Sequence, residues 1–163
     1  MHATERQRGN DHTQACVAGE RETGARLTLT ITAAIQARWG HHVDGLIHSH
    51  AWTVEATVEG PADADMVMPA DDLEDLLREH VQPWSGHYLT NVDLGPWKSY
   101  LPLLWDREPT VEEIVRRLWG QLEPRVPGLV EVALIESSEF DRSRTVRLRR
   151  DSDASITALT RIA

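Results

Sequence analysis

At 163 residues the chain has room for one ordinary domain, and 40% hydrophobic with 26% charged residues is a globular balance that argues against wholesale disorder. A formal net charge of −9 argues against nucleic acid or an anionic membrane surface as the main partner, because neither is attracted by that field. No apolar run reaches the ~18–20 residues of a membrane helix, and the start MHATERQRGNDHTQ lacks a secretory apolar core, so the expected location is the cytoplasm.

Taken in chain order, residues 1–24 are polar without a sustained period and are predicted to be a flexible arm. They hold the single cysteine, Cys16, so neither an intrachain disulfide nor a multi-cysteine zinc site is available. The folded domain is expected over 25–150. It opens with RLTLTIT (Arg26–Thr32), where Leu27, Leu29 and Ile31 alternate with threonines as in a half-buried strand. HSHAWTVEATVEG (His48–Gly60) alternates in the same way, with Trp52, Val54, Ala56 and Val58 on one face, and Gly60-Pro61 ends it.

Two helices follow. Asp71 with Glu74 reads as a D-x-x-E start, Leu73, Leu76, Leu77 and Val81 form one face, and Pro83 closes the helix. At Pro109-Thr110 the second begins, with Thr110 as cap and Glu113 placed to complete a capping box; Ile114, Val115, Leu118, Trp119 and Leu122 form its stripe, and Pro124 stops it. The intervening stretch, Trp84 to Glu108, reads as a long loop, which in a small domain is usually functional or lies against a neighbouring subunit. Leu129–Ser137 and Arg144–Arg150 read as two further strands, and 151–163 as a C-terminal tail. The order ββααββ predicts an α+β fold: a four-stranded antiparallel sheet with two helices on one face. Its open edges favour edge-to-edge homo-oligomers.

Three places carry candidate chemistry. His48 and His50, two apart on a strand, project to the same face and can reach one metal ion. His41, His42 and Asp44 lie just upstream, so four imidazoles and a carboxylate fall within ten residues, a composition suited to a metal or proton-transfer site. Glu136 ends an otherwise apolar strand, where its carboxylate either reaches solvent or accepts paired hydrogen bonds from an amidine-like N–H pair. His87, beside Gly86 in WSGHYLTN, has an ionisation range suited to general acid–base work. Six tryptophans against one phenylalanine suit either core filling or the walls of an aromatic-ligand pocket.

Together these motifs resemble the 6-pyruvoyl-tetrahydropterin synthase and 6-carboxytetrahydropterin synthase family, whose subunits have the T-fold, or tunnelling fold. The resemblance runs from about Leu27 to Arg149. It rests on ITAAI ending the first strand, on IHSHAW, Met66-Val67, GHYLTN, Pro109-Thr110-Val111-Glu112 and Glu136-Ser137, in that order. The resemblance implies a homohexamer of two trimers with sheets joined into a barrel and active sites between subunits. It also implies zinc on three histidines, two of them His48 and His50, with Glu136 anchoring a pterin ring and His87 assisting proton transfer.

The chain departs from the family pattern at several positions. The first zinc histidine falls at Ile35, the base cysteine falls at Asp44, an alignment that keeps His87 puts Gly86 where the paired Asp belongs, and the family's Asp-Phe at the first helix becomes Pro69-Ala70. His42 or Asp44 would then be the candidate third metal ligand.

The leading expectation is a divergent member repurposed for lyase, cyclase or isomerase chemistry on another small molecule, in specialised metabolism. Asp44 and His87 would be base and acid, Glu136 would anchor the substrate, and Trp39, Trp52 and Trp84 would wall an aromatic or apolar molecule. Two alternatives stand beside it. One is a zinc-dependent pterin synthase acting on dihydroneopterin triphosphate with a remodelled metal site, and the other is a non-catalytic T-fold binding or assembly protein.

Overall fold

The structure, a computed structural model, describes residues 28–137, 143–151 and 156–162. The expected arm over 1–24, with Cys16, lies outside the described residues. Ten elements follow one another: β1 (Thr28–Val43), β2 (Leu46–Pro61), α1 (Ala70–Val81), a 3-10 turn (Gln82–Trp84), β3 (His87–Thr90), β4 (Leu101–Leu104), α2 (Val111–Leu122), β5 (Leu129–Ser137), β6 (Ser143–Arg150) and β7 (Ile156–Ile162). They form a single sheet in the order β4-β3-β1-β2-β5-β6-β7.

The antiparallel body β1-β2-β5-β6 is the expected four-stranded sheet, but three strands extend it. β3 joins β1 in parallel and β4 joins β3 in parallel, inside the stretch read as a loop. β7 pairs antiparallel with β6 where a tail was expected. No local period announces these strands, because tertiary packing makes them. Tyr88 and Leu89 of β3 are buried, and Gly40 of β1 allows the close approach. An added Cβ at Gly40 would stand 2.8 Å from the His48 carbonyl oxygen and 2.9 Å from Tyr88 Cβ.

β1 and β2 are also far longer than their alternation suggested, at 16 residues each. Asp44 and Gly45 join them, with φ of 52° and 75°. Two successive positive φ values match the right-handed twist of a hairpin, and Asp-Gly is a favoured sequence for such a turn. The turn sets the register: His41 faces His48, Trp39 faces His50 and Ala37 faces Trp52.

Both helices lie on one face of the sheet, α1 against β1 and α2 against β5 and β6. Leu73, Leu77 and Val81 of α1 and Ile114, Leu118 and Leu122 of α2 meet Val54, Ala56, Val58, Val132 and Leu134 in a buried core. Each such large aliphatic side chain contributes about 1.5–3 kcal/mol on burial. The α2 cap is as expected, with the Thr110 hydroxyl accepting from the Glu113 amide at 3.3 Å. The Glu113 carboxylate, however, turns to Arg116 rather than back to the cap. At α1 the cap position is Pro69, without a side-chain hydrogen bond, and Asp71 and Asp72 favour the positive helix end from the first turn.

Lengths decide where this core ends. A 12-residue helix covers about 18 Å, whereas a 16-residue strand runs for about 50 Å. The helical layer therefore cannot roof the whole β1–β2 hairpin. The hairpin tip is left open.

Candidate functional site

At that open end a cavity of about 460 Å³ is lined by His41, Val43, Asp44, Leu46, His48, His50, Val111, Glu136 and Arg144. The hairpin register puts His41, His48 and His50 on one face, with ring centroids 6.0 Å apart for His41–His48, 5.6 Å for His41–His50 and 6.0 Å for His48–His50. Two of the three rings are oriented from behind. His41 Nδ1 donates to the Pro109 carbonyl at 3.0 Å, and His50 Nδ1 lies 3.2 Å from Glu136 Oε1. Among the described residues neither ring has a hydrogen bond through Nε2.

Burial pushes the His41 and His50 rings toward the neutral form. Desolvation lowers the His41 pKa below 6.5, the hydrogen bond to Pro109 opposes it, and His50 and His48 lower it further. For His50 desolvation again dominates and lowers the pKa; Glu136 opposes it, and His48 and Arg144 add to it. Neutral imidazole is the form that binds a metal.

Among the described residues no three ligand groups already close on one point. Three imidazoles on a tetrahedral zinc at 2.0–2.1 Å stand about 5 Å apart between centroids, so the observed triangle is wide by roughly 1 Å or less. A carbonyl or carboxylate fixing Nδ1 is the usual outer support of a ligating imidazole. The ring spacing of the three histidines is close to that of a zinc site, but as placed they do not form one. The third imidazole is His41, a residue that the sequence reading counted in the cluster but did not assign as a ligand.

The other expected residues divide. Asp44 lines the cavity from the hairpin turn, its amide donating to Glu108 Oε1 at 2.9 Å. Glu136, side by side with Trp52 in the β2–β5 register, reaches the same cavity. His42 does not: as the next residue along β1 it projects to the opposite face, where its Nδ1 meets Thr90 Oγ1 at 3.3 Å. His87 sits on β3 with its Nδ1 donating to the Ser85 carbonyl at 3.1 Å, and it is not among the lining residues.

The tryptophans are corrected more sharply. Trp39, Trp52 and Trp84 are 0%, 1% and 5% exposed and line no part of the cavity. They form a ladder, Trp39 stacked on Trp52 at 5.2 Å and edge-on to Trp84 at 5.2 Å, with Trp105 beyond at 5.5 Å. Trp52 touches the site only from beneath, edge-on to His41 at 5.4 Å and to His50 at 5.2 Å. They are floor, not walls. Sequence reasoning did not single out Arg144 as a site residue; its only signal was its place across the turn from Glu136.

The family model described as 6-pyruvoyl tetrahydropterin synthase matches residues 29–149. The chain belongs to this family, its α+β sheet is the T-fold, and it is accordingly a synthase-like enzyme of the lyase type. Among solved structures it is similar to the 6-pyruvoyl tetrahydropterin synthase of Caenorhabditis elegans, with 13% identity, 83% of this chain and 95% of that chain covered, and a TM-score of 0.47. Comparison with curated proteins returns no match. Among the described residues no helix is long and apolar enough to cross a membrane.

Proposed function

We propose that this chain is a divergent zinc-dependent lyase of its family, with a remodelled metal site made by His41, His48 and His50. The observation that carries the reading is the convergence of three imidazoles, two of them held through Nδ1 by a carbonyl and a carboxylate. Zinc in that position would supply Lewis-acid polarisation of a substrate hydroxyl or carbonyl.

The chain's own residues supply the remaining steps. Asp44, a carboxylate at the family's cysteine position, is the general base, suited to taking a proton rather than to nucleophilic attack. Glu136 orients His50, and its second oxygen can accept an N–H from the substrate. Six of the nine lining residues are ionisable, with Val43, Leu46 and Val111 between them, which suits a small molecule that has polar groups on an apolar frame. His87 can serve a cavity only if a neighbouring copy brings it there. The strand edges at β4 and β7 support such pairing, in a hexamer or another trimer-based assembly.

A second reading keeps the cavity but changes the reaction: cyclase or isomerase chemistry on another small molecule. The Asp44 substitution favours it, because a carboxylate base lacks the thiolate's nucleophilicity.

Elemental analysis and turnover of dihydroneopterin triphosphate test both. About one zinc per chain is expected, falling away in His41→Ala and His48→Ala, with Asp44→Asn keeping the metal but losing on the order of 10²–10⁴ in turnover. Zinc without turnover of this probe moves the assignment to the second reading. Turnover that survives chelation and dialysis overturns the zinc-dependent reading.

A further inference from the structure

The tip of the β1–β2 hairpin projects past the helical layer, yet two of its polar hydrogens are held from one short segment. The last pair of the β1–β2 ladder is Val43 with Leu46, so the Asp44 amide falls outside the ladder. Glu108 Oε1 accepts that amide at 2.9 Å, and the carbonyl of the next residue, Pro109, accepts from His41 Nδ1 at 3.0 Å. Glu108 and Pro109 are themselves fixed. The Thr110 amide donates back to the Glu108 carbonyl at 2.9 Å, closing a three-residue turn around a proline whose ring sets its φ. Thr110 then caps α2, whose Ile114, Leu118 and Leu122 are fully buried. A continuous series of bonds therefore runs from the core, through α2, to the Asp44 turn and to one of the site's imidazoles.

We propose that Glu108 is a positioning residue, which pins the Asp44-Gly45 turn to the start of α2 and so sets where Asp44 meets the cavity. Asp44 is exposed, with a positive φ of 52°, so packing does not fix its direction. Water could satisfy an exposed amide equally well; what the carboxylate adds is location, through a charge-assisted bond that is stronger than a neutral one. Proton abstraction depends on such location, since a misplacement of about 1 Å costs on the order of 10²-fold in rate. Glu108 is not among the residues that line the cavity, so it acts through Asp44 and not on the bound molecule. The positioning role rests on the lyase reading for Asp44 as the base; the tether itself does not.

The test compares the full chain with Glu108→Ala and Glu108→Gln by amide hydrogen exchange and denaturant unfolding. Glu108 is only half-buried and lies outside the core cluster, so both variants are expected to keep the unfolding midpoint. Exchange at the Asp44 amide is expected to speed up about tenfold or more in Glu108→Ala. Glu108→Gln, which loses the charge but keeps an acceptor oxygen, is expected to stay within about threefold of the wild type. Equal rates in the wild type and Glu108→Ala overturn the proposal. So does equal acceleration in both variants, which reports charge alone, and so does acceleration spread evenly along β1 and β2.

Turnover of dihydroneopterin triphosphate carries the test to Asp44 itself. Glu108→Ala is expected to lower kcat about tenfold with KM within about twofold, and Glu108→Gln to recover most of the loss. Asp44→Asn keeps the backbone amide and removes the base, so in that background Glu108→Ala is expected to cost less than about twofold more. A full, additive loss there overturns the positioning role. A wild type that neither holds zinc nor turns over this probe removes the lyase reading, and exchange at Asp44 then decides the tether alone, by the outcomes above.

Discussion

His50 and Trp52 are consecutive same-face residues of one strand, yet they belong to different environments. Trp52 is 1% exposed, stacked on Trp39, with its indole N–H donating to the Trp39 carbonyl at 3.2 Å. His50 is 22% exposed along its side chain, faces a cavity, and pairs with a carboxylate. The sheet does not change between them; the covering layer does. Where α1, the 3-10 turn and α2 roof the hairpin, large aromatic groups fill the space. Beyond their reach the same alternation delivers ionisable groups to a wet hollow. An alternating strand thus specifies a face, whereas its neighbours decide whether that face is a core or a site.

Three experiments break or sharpen this division. The largest effect is expected on the covered side. Trp52→Ala removes the centre of the indole ladder and should cost about 3–5 kcal/mol of stability, measured by denaturant unfolding. A loss under 1 kcal/mol would mean that Trp52 is not packed as core.

On the open side the effect should fall on binding instead of folding. Glu136→Gln removes the charge behind His50 and should weaken zinc binding about 10–100-fold with little change in unfolding midpoint. A pure substrate anchor would leave zinc affinity unchanged and raise KM only.

The smallest effect is a pH dependence at the boundary. Because burial lowers the pKa of His41 and His50, the unfolded chain takes up protons that the fold refuses once the pH drops below about 6.5. Stability of the chelated protein should therefore be fully present above that pH and decline as acid is added. The slope should be shallower in His41→Gln. A flat profile between pH 7 and 5 would show that both rings are solvated.

Much of the covered side was legible in the sequence, because periodicity reports burial. The stripes Leu73, Leu77, Val81 and Ile114, Leu118, Leu122 are the buried faces of α1 and α2, and Thr110 caps α2. The open side was legible in composition but not in geometry. His48, His50, Asp44 and Glu136 line one cavity together with His41, while His42 and His87 face elsewhere. The missing information was register. The Asp-Gly turn at Asp44-Gly45 carried it, since a two-residue hairpin fixes which imidazoles stand opposite one another. The short strands β3 and β4 had no comparable signal; burial of Tyr88 and Leu89 against β1 creates them. The tryptophans misled because their size suits a ligand wall and a core equally well.

The tightness of the Asp44-Gly45 turn has a consequence for assembly of the imidazole trio. All three rings come from the stretch between His41 and His50, folded back across only two residues, so little chain entropy is spent in bringing them together. The pocket's nitrogen donors are therefore a near-neighbour feature of a single ribbon, able to gather before distant strands arrive and without contribution from another polypeptide.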